Sequence, residues 1–120
     1  MHKGFEGTTI DQAETQRLSE LARKARGDIL HMTTLAGSGH PGGSMSSIDM
    51  YITLMQHARI NPDKPHDPAR DHIVVSHGHT SPGVYAALAH TGFFSIDDAI
   101  TGFRHPGTMF EGHIERTVPG

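Results

Sequence analysis

Eleven of the 120 residues are histidine, and this excess is the feature of the sequence that points most directly to chemistry. Imidazole titrates near neutral pH, moves protons and binds metal ions. Three of the histidines follow a glycine in stretches that are predicted to be loops: His40 in SGHPGGS, His79 in SHGHTS and His113 in EGHIE. Imidazoles held in loops suggest general acid–base catalysis or a metal site.

The stretch GSGHPGGSMSS, residues 37–47, contains the spacing G-x-G-x-x-G between Gly37 and Gly42. A dinucleotide-binding fingerprint needs a strand before the glycines and a helix after them. Here a predicted helix precedes the glycines, and no Gly-Lys-Ser/Thr follows, so the pattern favours neither a dinucleotide fingerprint nor a Walker loop. We interpret the stretch as a joint between two helices, with His40 at its apex and Gly39 and Pro41 on either side.

The second histidine loop follows Ile73-Val74-Val75, a β-branched run typical of a strand that is covered on both faces in a parallel sheet. Ligands of open α/β sheets bind at the carboxyl ends of such strands. Gly78 would allow the chain to approach a ligand closely. A helix that begins at Pro82 would offer free N–H groups to a phosphate. We therefore expect a phosphate or substrate edge here, with His79 directed into it.

A metal site in this region stays open as an alternative. His72, His77 and His79 are close in sequence and would supply three imidazoles. However, no Asp, Glu or His group stands at a known zinc spacing, and the chain has no cysteine. No Ser/His/Asp or Cys/His nucleophile set is evident either.

These loops must be positioned by regular elements. Apolar residues recur at helical spacing from Leu18 to Ala36, which predicts an amphipathic helix over residues 10–36 with Thr9 as its cap. One strand needs neighbours for its backbone groups, so we expect an α/β fold whose sheet is completed by another chain or by a downstream segment. Three further helices are predicted, over residues 46–57, 82–91 and 95–103.

The charge and the apolar patterning exclude several classes of protein. The formal net charge is −3 and no cluster of lysine or arginine is present, which argues against a nucleic-acid partner or a membrane surface. No apolar run is long enough to span a bilayer, and the first twelve residues lack the apolar segment of a secretory signal. The absence of cysteine fits a reducing compartment. We expect a soluble, cytoplasmic protein.

Taken in order, the three histidine loops resemble the N-terminal part of transketolases. The matching motifs are SGHPGGS at 38–44, VSHGH at 75–79, and GH at 112–113 followed by VPG at 118–120. The similarity extends over residues 18–120. It implies an enzyme that uses thiamine diphosphate and a divalent cation, Mg²⁺ or Ca²⁺, to transfer a two-carbon ketol unit from a ketose to an aldose.

The resemblance also implies roles for individual residues. His40 and His113 would face the reacting oxygens of the substrate and help to move protons. His79 would be catalytic as well, and with Gly78 it would contact the cofactor beside its diphosphate. The cofactor would supply the carbanion chemistry, while the protein groups supply orientation and proton transfer.

The architecture and the partners follow from the same resemblance. Residues 1–120 would form the N-terminal part of the diphosphate-binding domain, with residues 1–9 as an irregular segment. The fold would be the beginning of a thiamine diphosphate-binding α/β fold, with helices packed on a mostly parallel sheet that is incomplete in this chain.

The remaining parts of such a site would lie elsewhere. The metal ligands fall outside this chain, and a pyrimidine-binding domain would come from a second chain or a downstream segment, in a homodimer or a split-subunit hetero-oligomer. The substrates would be sugars or sugar phosphates of carbohydrate metabolism, such as the pentose phosphate pathway. We expect the chain alone to be inactive. The alternative is a histidine-rich helical module, not an enzyme, that binds a divalent metal or a protein partner.

Overall fold

A computed structural model describes residues 4–120 of the chain. In this part all regular structure is helical, and a 3₁₀ turn at Gly78–Thr80 directly precedes the third α-helix. Within residues 4–120 no helix is both long enough and apolar enough to cross a membrane. The α-helices are α1 (Gln12–Ala36), α2 (Pro41–His57), α3 (Ser81–Thr91) and α4 (Ile96–Gly102).

Helix α3 lies at the centre of the molecule. Its first eight residues, 81–88, are all buried, and it packs against α1, α2 and α4. Its first nine residues, SPGVYAALA, are small or apolar on every side, as a helix surrounded by others requires. The ring of Tyr85 is fully buried and meets the rings of Phe103 and Phe110 edge-on. This aromatic contact joins α3 to the segment that follows α4.

The long first helix predicted from its apolar stripe is confirmed. The helix ends at Gly37, which adopts φ +63, a left-handed conformation that glycine tolerates. The predicted cap was wrong. The Oδ1 atom of Asp11, not the hydroxyl of Thr9, accepts a hydrogen bond of 2.8 Å from the backbone N–H of Glu14. Both residue types cap helices well, so their order in the sequence does not decide between them.

The second helix begins at Pro41, five residues before the predicted start. Proline suits the first turn of a helix because its φ is already helical and its missing N–H is not needed there. The joint between α1 and α2 is therefore only residues 37–40. The buried Ser44 joins α2 to α3, because its Oγ accepts a hydrogen bond of 3.1 Å from the backbone N–H of Gly83.

The prediction of an α/β fold with a mostly parallel sheet is wrong for residues 4–120, which contain no strand. The run Ile73-Val74-Val75 has no regular structure. The side chain of Val74 is 88% exposed, whereas Ile73 and Val75 pack against the core. A strand needs a neighbouring backbone to pair with. The β-branched run therefore indicates burial on one side and not membership of a sheet.

The last two helices follow their predicted limits closely. Gly92 ends α3 at φ +101, and the Oγ of Ser95 caps α4 by accepting a hydrogen bond of 3.2 Å from the N–H of Asp97. The predicted irregular segment covers residues 1–9, and residues 4–9 contain neither helix nor strand. Residues 1–3 of that segment lie outside the described residues.

Candidate functional site

The three histidines singled out in the sequence come together in space. The ring centroids of His40 and His79 are 4.6 Å apart, with their planes inclined at 70°. The centroids of His79 and His113 are 4.9 Å apart, at 50°. His79 is therefore the middle member of the cluster. All three residues are exposed, so the imidazoles are open to a ligand from solvent.

Each imidazole belongs to a different element. His40 is the residue that immediately precedes α2, and its side chain makes no capping hydrogen bond. His79 lies in the 3₁₀ turn that leads into α3. His113 lies in the irregular chain after α4. Two helices thus begin at the cluster. In α3, Pro82 has no N–H and the N–H of Gly83 donates to Ser44, so the N–H groups open to an anion are those of the first turn of α2, which has no side-chain cap.

A glycine precedes each of the three histidines, and two of these glycines lie very close to other side chains. A Cβ atom on Gly39 would lie 2.8 Å from Cγ2 of Thr33, and the residue has φ +134. A Cβ atom on Gly112 would lie 2.9 Å from Nε of Arg104. Real Cβ atoms do not approach other atoms so closely. Close packing and the positive φ therefore require glycine at residue 39, whereas at residue 112 the close neighbour is the end of an exposed arginine side chain that can move aside.

The third glycine supports the cluster directly. A Cβ atom on Gly78 would lie 3.5 Å from Cδ2 of His113, which is an ordinary van der Waals distance. The imidazole of His113 therefore packs against the backbone of the turn that carries His79. This contact brings together two residues that are distant in the sequence.

Hydrogen bonds fasten the His113 loop to α3. The Oγ of Ser81 donates to the carbonyl oxygen of Gly112 at 2.6 Å, and the hydroxyl of Tyr85 donates to the carbonyl oxygen of Glu111 at 2.8 Å. Burial raises the pKa of the Tyr85 hydroxyl above its usual range, and the carboxylates of Glu111 and Glu115 add to the effect. The hydroxyl therefore stays protonated and keeps its role as donor.

A second network fixes the turn that carries the central imidazole. The Oγ1 of Thr80 donates to the carbonyl oxygen of His77 at 2.8 Å. The hydroxyls of Tyr51 and Thr80 are 2.7 Å apart. Since the single hydroxyl proton of Thr80 is already used, Tyr51 is the donor in this pair. A residue of α2 thus holds the turn in place.

The sequence did not single out the residues that support the cluster, namely Ser44, Tyr51, Ser81, Tyr85 and Arg104. A glycine before each histidine was the available signal that these loops are closely packed. No arrangement of three or more His, Asp, Glu or Cys side chains within residues 4–120 has the geometry to hold a metal ion. A histidine metal site built from His72, His77 and His79 is therefore not supported.

Comparison with known proteins decides the family. Residues 18–120 match the family model described as "Transketolase, thiamine diphosphate binding domain". The chain belongs to the transketolase family. The family predicted from the three histidine loops is thus confirmed, and the non-enzymatic histidine-rich module is not favoured.

Three curated transketolases illustrate the extent of the match. The chain is 42% identical over 88 residues to the 6-deoxy-6-sulfo-D-fructose transketolase subunit SqwG of Clostridium sp. (strain MSTE9), covering 68% of this chain and 30% of that protein. It is 33% identical over 104 residues to the Homo sapiens transketolase, covering 86% and 16%. It is 33% identical over 115 residues to an apulose-4-phosphate transketolase subunit of Phocaeicola vulgatus, covering 91% and 38%. The chain thus spans less than two fifths of the length of these relatives.

Proposed function

We propose that the chain is the N-terminal part of the diphosphate-binding domain of an enzyme that transfers a two-carbon ketol unit from a ketose to an aldose. The observation that carries this proposal is the convergence of His40, His79 and His113, with centroids 4.6 and 4.9 Å apart along the cluster. Membership of the transketolase family supports the type of reaction. The proposed domain covers residues 1–120.

The residues at the cluster fit thiamine diphosphate. The turn before α3 presents Gly78, which has no side chain, and the exposed imidazole of His79, next to the first turn of a helix. A glycine backbone lets a ligand approach closely, so Gly78 and His79 would hold the diphosphate side of the cofactor. When bound, thiamine diphosphate supplies the carbanion stabilisation that ketol transfer needs. The ligands of its cation, Mg²⁺ or Ca²⁺, would lie outside this chain.

The imidazoles would carry out the proton transfers. His40 and His113 lie on either side of His79, so one sugar substrate can meet all three rings. A neutral imidazole accepts a proton and an imidazolium donates one near neutral pH. His40 and His113 would therefore exchange protons with the hydroxyl and carbonyl oxygens of the substrate. His79 would exchange protons with the oxygen or carbon centre closest to the cofactor.

The relatives support a sugar substrate and a partner. Their names specify a sulfonated fructose and apulose 4-phosphate, so a sugar that carries a phosphate or another anionic group is the proposed substrate class. Two of the relatives are named as subunits. We place the pyrimidine-binding domain in a second chain or a downstream segment, in a homodimer or a split-subunit hetero-oligomer.

A ketol-transfer assay on the assembled enzyme tests the proposal. We expect His40→Ala to lower kcat about 10²- to 10⁴-fold, the usual contribution of a general acid or base. The control is His66→Ala, which changes an exposed histidine in the segment between α2 and α3 and should leave kcat unchanged. Because His40 is exposed, its replacement should also leave the folded state intact. Full activity in a folded His40→Ala protein would refute the assignment.

A further inference from the structure

Two consecutive residues after α4 touch the two outer histidine loops. A Cβ atom on Gly39 would lie 3.3 Å from Cε1 of Phe103, and one on Gly112 would lie 2.9 Å from Nε of Arg104. Gly39 precedes His40, and Gly112 precedes His113. The pair Phe103–Arg104 therefore lies close to both loops, which are far apart in the sequence.

The backbone of Arg104 is unusual. Its φ is +56, and among residues 4–120 it is the only residue other than glycine with a positive φ. An L-residue with a long side chain is strained in this region, whereas glycine is not. The conformation is held by a hydrogen bond of 2.8 Å from the Arg104 N–H to the carbonyl oxygen of Phe110. Strain of this kind is maintained by its surroundings and is often found near functional sites.

The guanidinium group of Arg104 is not engaged in an ion pair within residues 4–120. Its Cζ lies 5.8 Å from the centroid of the Phe103 ring, a cation–π distance. Its other close neighbour is Gly112, whose Cβ position would lie 2.9 to 3.3 Å from Nε, Cζ and one terminal nitrogen. The guanidinium of this exposed residue thus lies near both an aromatic ring and the backbone beside His113.

We propose that Arg104 is a positioning residue of the site. Its guanidinium plane supports the backbone at Gly112 and so sets the His113 imidazole against Gly78. The effect on turnover rests on the proposed ketol transfer, but the effect on the geometry of His113 does not. Arg104 acts through Gly112 and is not assigned a contact with substrate.

The substitution Arg104→Gly separates positioning from stability, because glycine relieves the strain at φ +56 while removing the guanidinium. In the 120-residue chain we expect the midpoint of urea unfolding to be unchanged or higher. At the same time, the nuclear Overhauser effect between the Gly78 α-protons and Hδ2 of His113 should weaken. An unchanged Overhauser effect would overturn the proposal. A loss of stability that accompanies the weaker effect would also overturn it, in favour of a general structural role.

Turnover provides a second test in the assembled enzyme. Arg104→Gly should lower kcat about tenfold, since a small misplacement of a reacting group is costly, with little change in KM. Gly112→Ala, which displaces the guanidinium, should lower kcat similarly, and combining the two changes should add nothing further. If the two substitutions lowered kcat independently, so that their effects multiplied in the double variant, the proposal would be overturned. If the unaltered enzyme performs no ketol transfer, the proposed function fails. The Overhauser measurement then still tests whether Arg104 positions His113.

Discussion

The hydroxyl of Tyr85 donates a hydrogen bond of 2.8 Å to the carbonyl oxygen of Glu111, two residues before His113. The ring of Tyr85 belongs to the core, and its hydroxyl reaches the site. Replacing it with Phe keeps the ring but leaves that carbonyl without its partner. We expect Tyr85→Phe to lower the free energy of unfolding by about 1 kcal/mol, measured by urea denaturation.

The comparison with Tyr85→Leu separates the hydroxyl from the ring. Loss of the buried ring removes its edge-on contacts with Phe103 and Phe110 and leaves a cavity. The decrease in the free energy of unfolding should therefore be clearly larger for Tyr85→Leu than for Tyr85→Phe. Equal losses for the two variants would contradict a distinct contribution from the hydroxyl.

Glycine should be needed at residue 39 and dispensable at residue 42. Gly39→Ala places a Cβ atom 2.8 Å from Thr33 at φ +134, and should destabilise the chain by about 1 to 3 kcal/mol. Gly42→Ala is the matched control. It lies within α2 with no atom within 4 Å of its Cβ position, and should raise stability by up to about 1 kcal/mol. Thermal unfolding of the two variants gives the comparison, and similar midpoints would argue against close packing at Gly39.

The isolated 120-residue chain should bind thiamine diphosphate weakly. The described residues offer a turn, a helix start and imidazoles, but no set of side chains arranged for the cation. Calorimetric titration with the cofactor and Mg²⁺ is therefore expected to show no submillimolar binding. Submillimolar affinity would mean that this chain alone holds a complete cofactor site.

Stability should depend on Asp71 at neutral pH and much less in acid. Hydrogen bonds from the side chain and the backbone N–H of Arg59 lower the pKa of the Asp71 carboxyl below its usual value of 3.8. A lowered folded-state pKa adds stability above the unfolded-state pKa, and this contribution is lost as the pH falls through the folded-state value.

Comparing wild type with Asp71→Asn by urea denaturation at pH 7 and pH 3 measures this dependence. We expect the variant to be less stable at pH 7 and the difference to shrink at pH 3. A difference in stability that is the same at both pH values would show that the ionised carboxylate does not cause the loss of stability in the variant.

Local patterns in the sequence predicted the helices well, because helical periodicity and capping involve residues within a few positions of each other. The stripe from Leu18 to Ala36 identified α1, and Gly92 and Ser95 marked the limits of α3 and α4. The early start at Pro41 was missed because the neighbouring glycines were interpreted as a loop. They are tolerated in the first turn of α2, where Gly43 also lets that helix approach Thr80 closely.

Non-local features were harder to predict. The run at 73–75 has the composition of a strand, but a strand exists only where another backbone pairs with it. The meeting of His40, His79 and His113 depends on how three elements pack, which spacing in the sequence does not determine. The family resemblance suggested that they act together, and the packing of α2, α3 and the chain after α4 supplies the physical reason.

The burial of α3 from its first residue has a consequence for protein engineering. Ser81 and Thr80 are buried in the core and also hold the turn and the loop of the site. Substitutions chosen to raise thermostability and substitutions chosen to widen the range of substrates would therefore fall at the same residues. An improvement in one property would then impair the other. Exposed positions such as Met50 on the outer face of α2 can be varied for solubility or expression without this conflict.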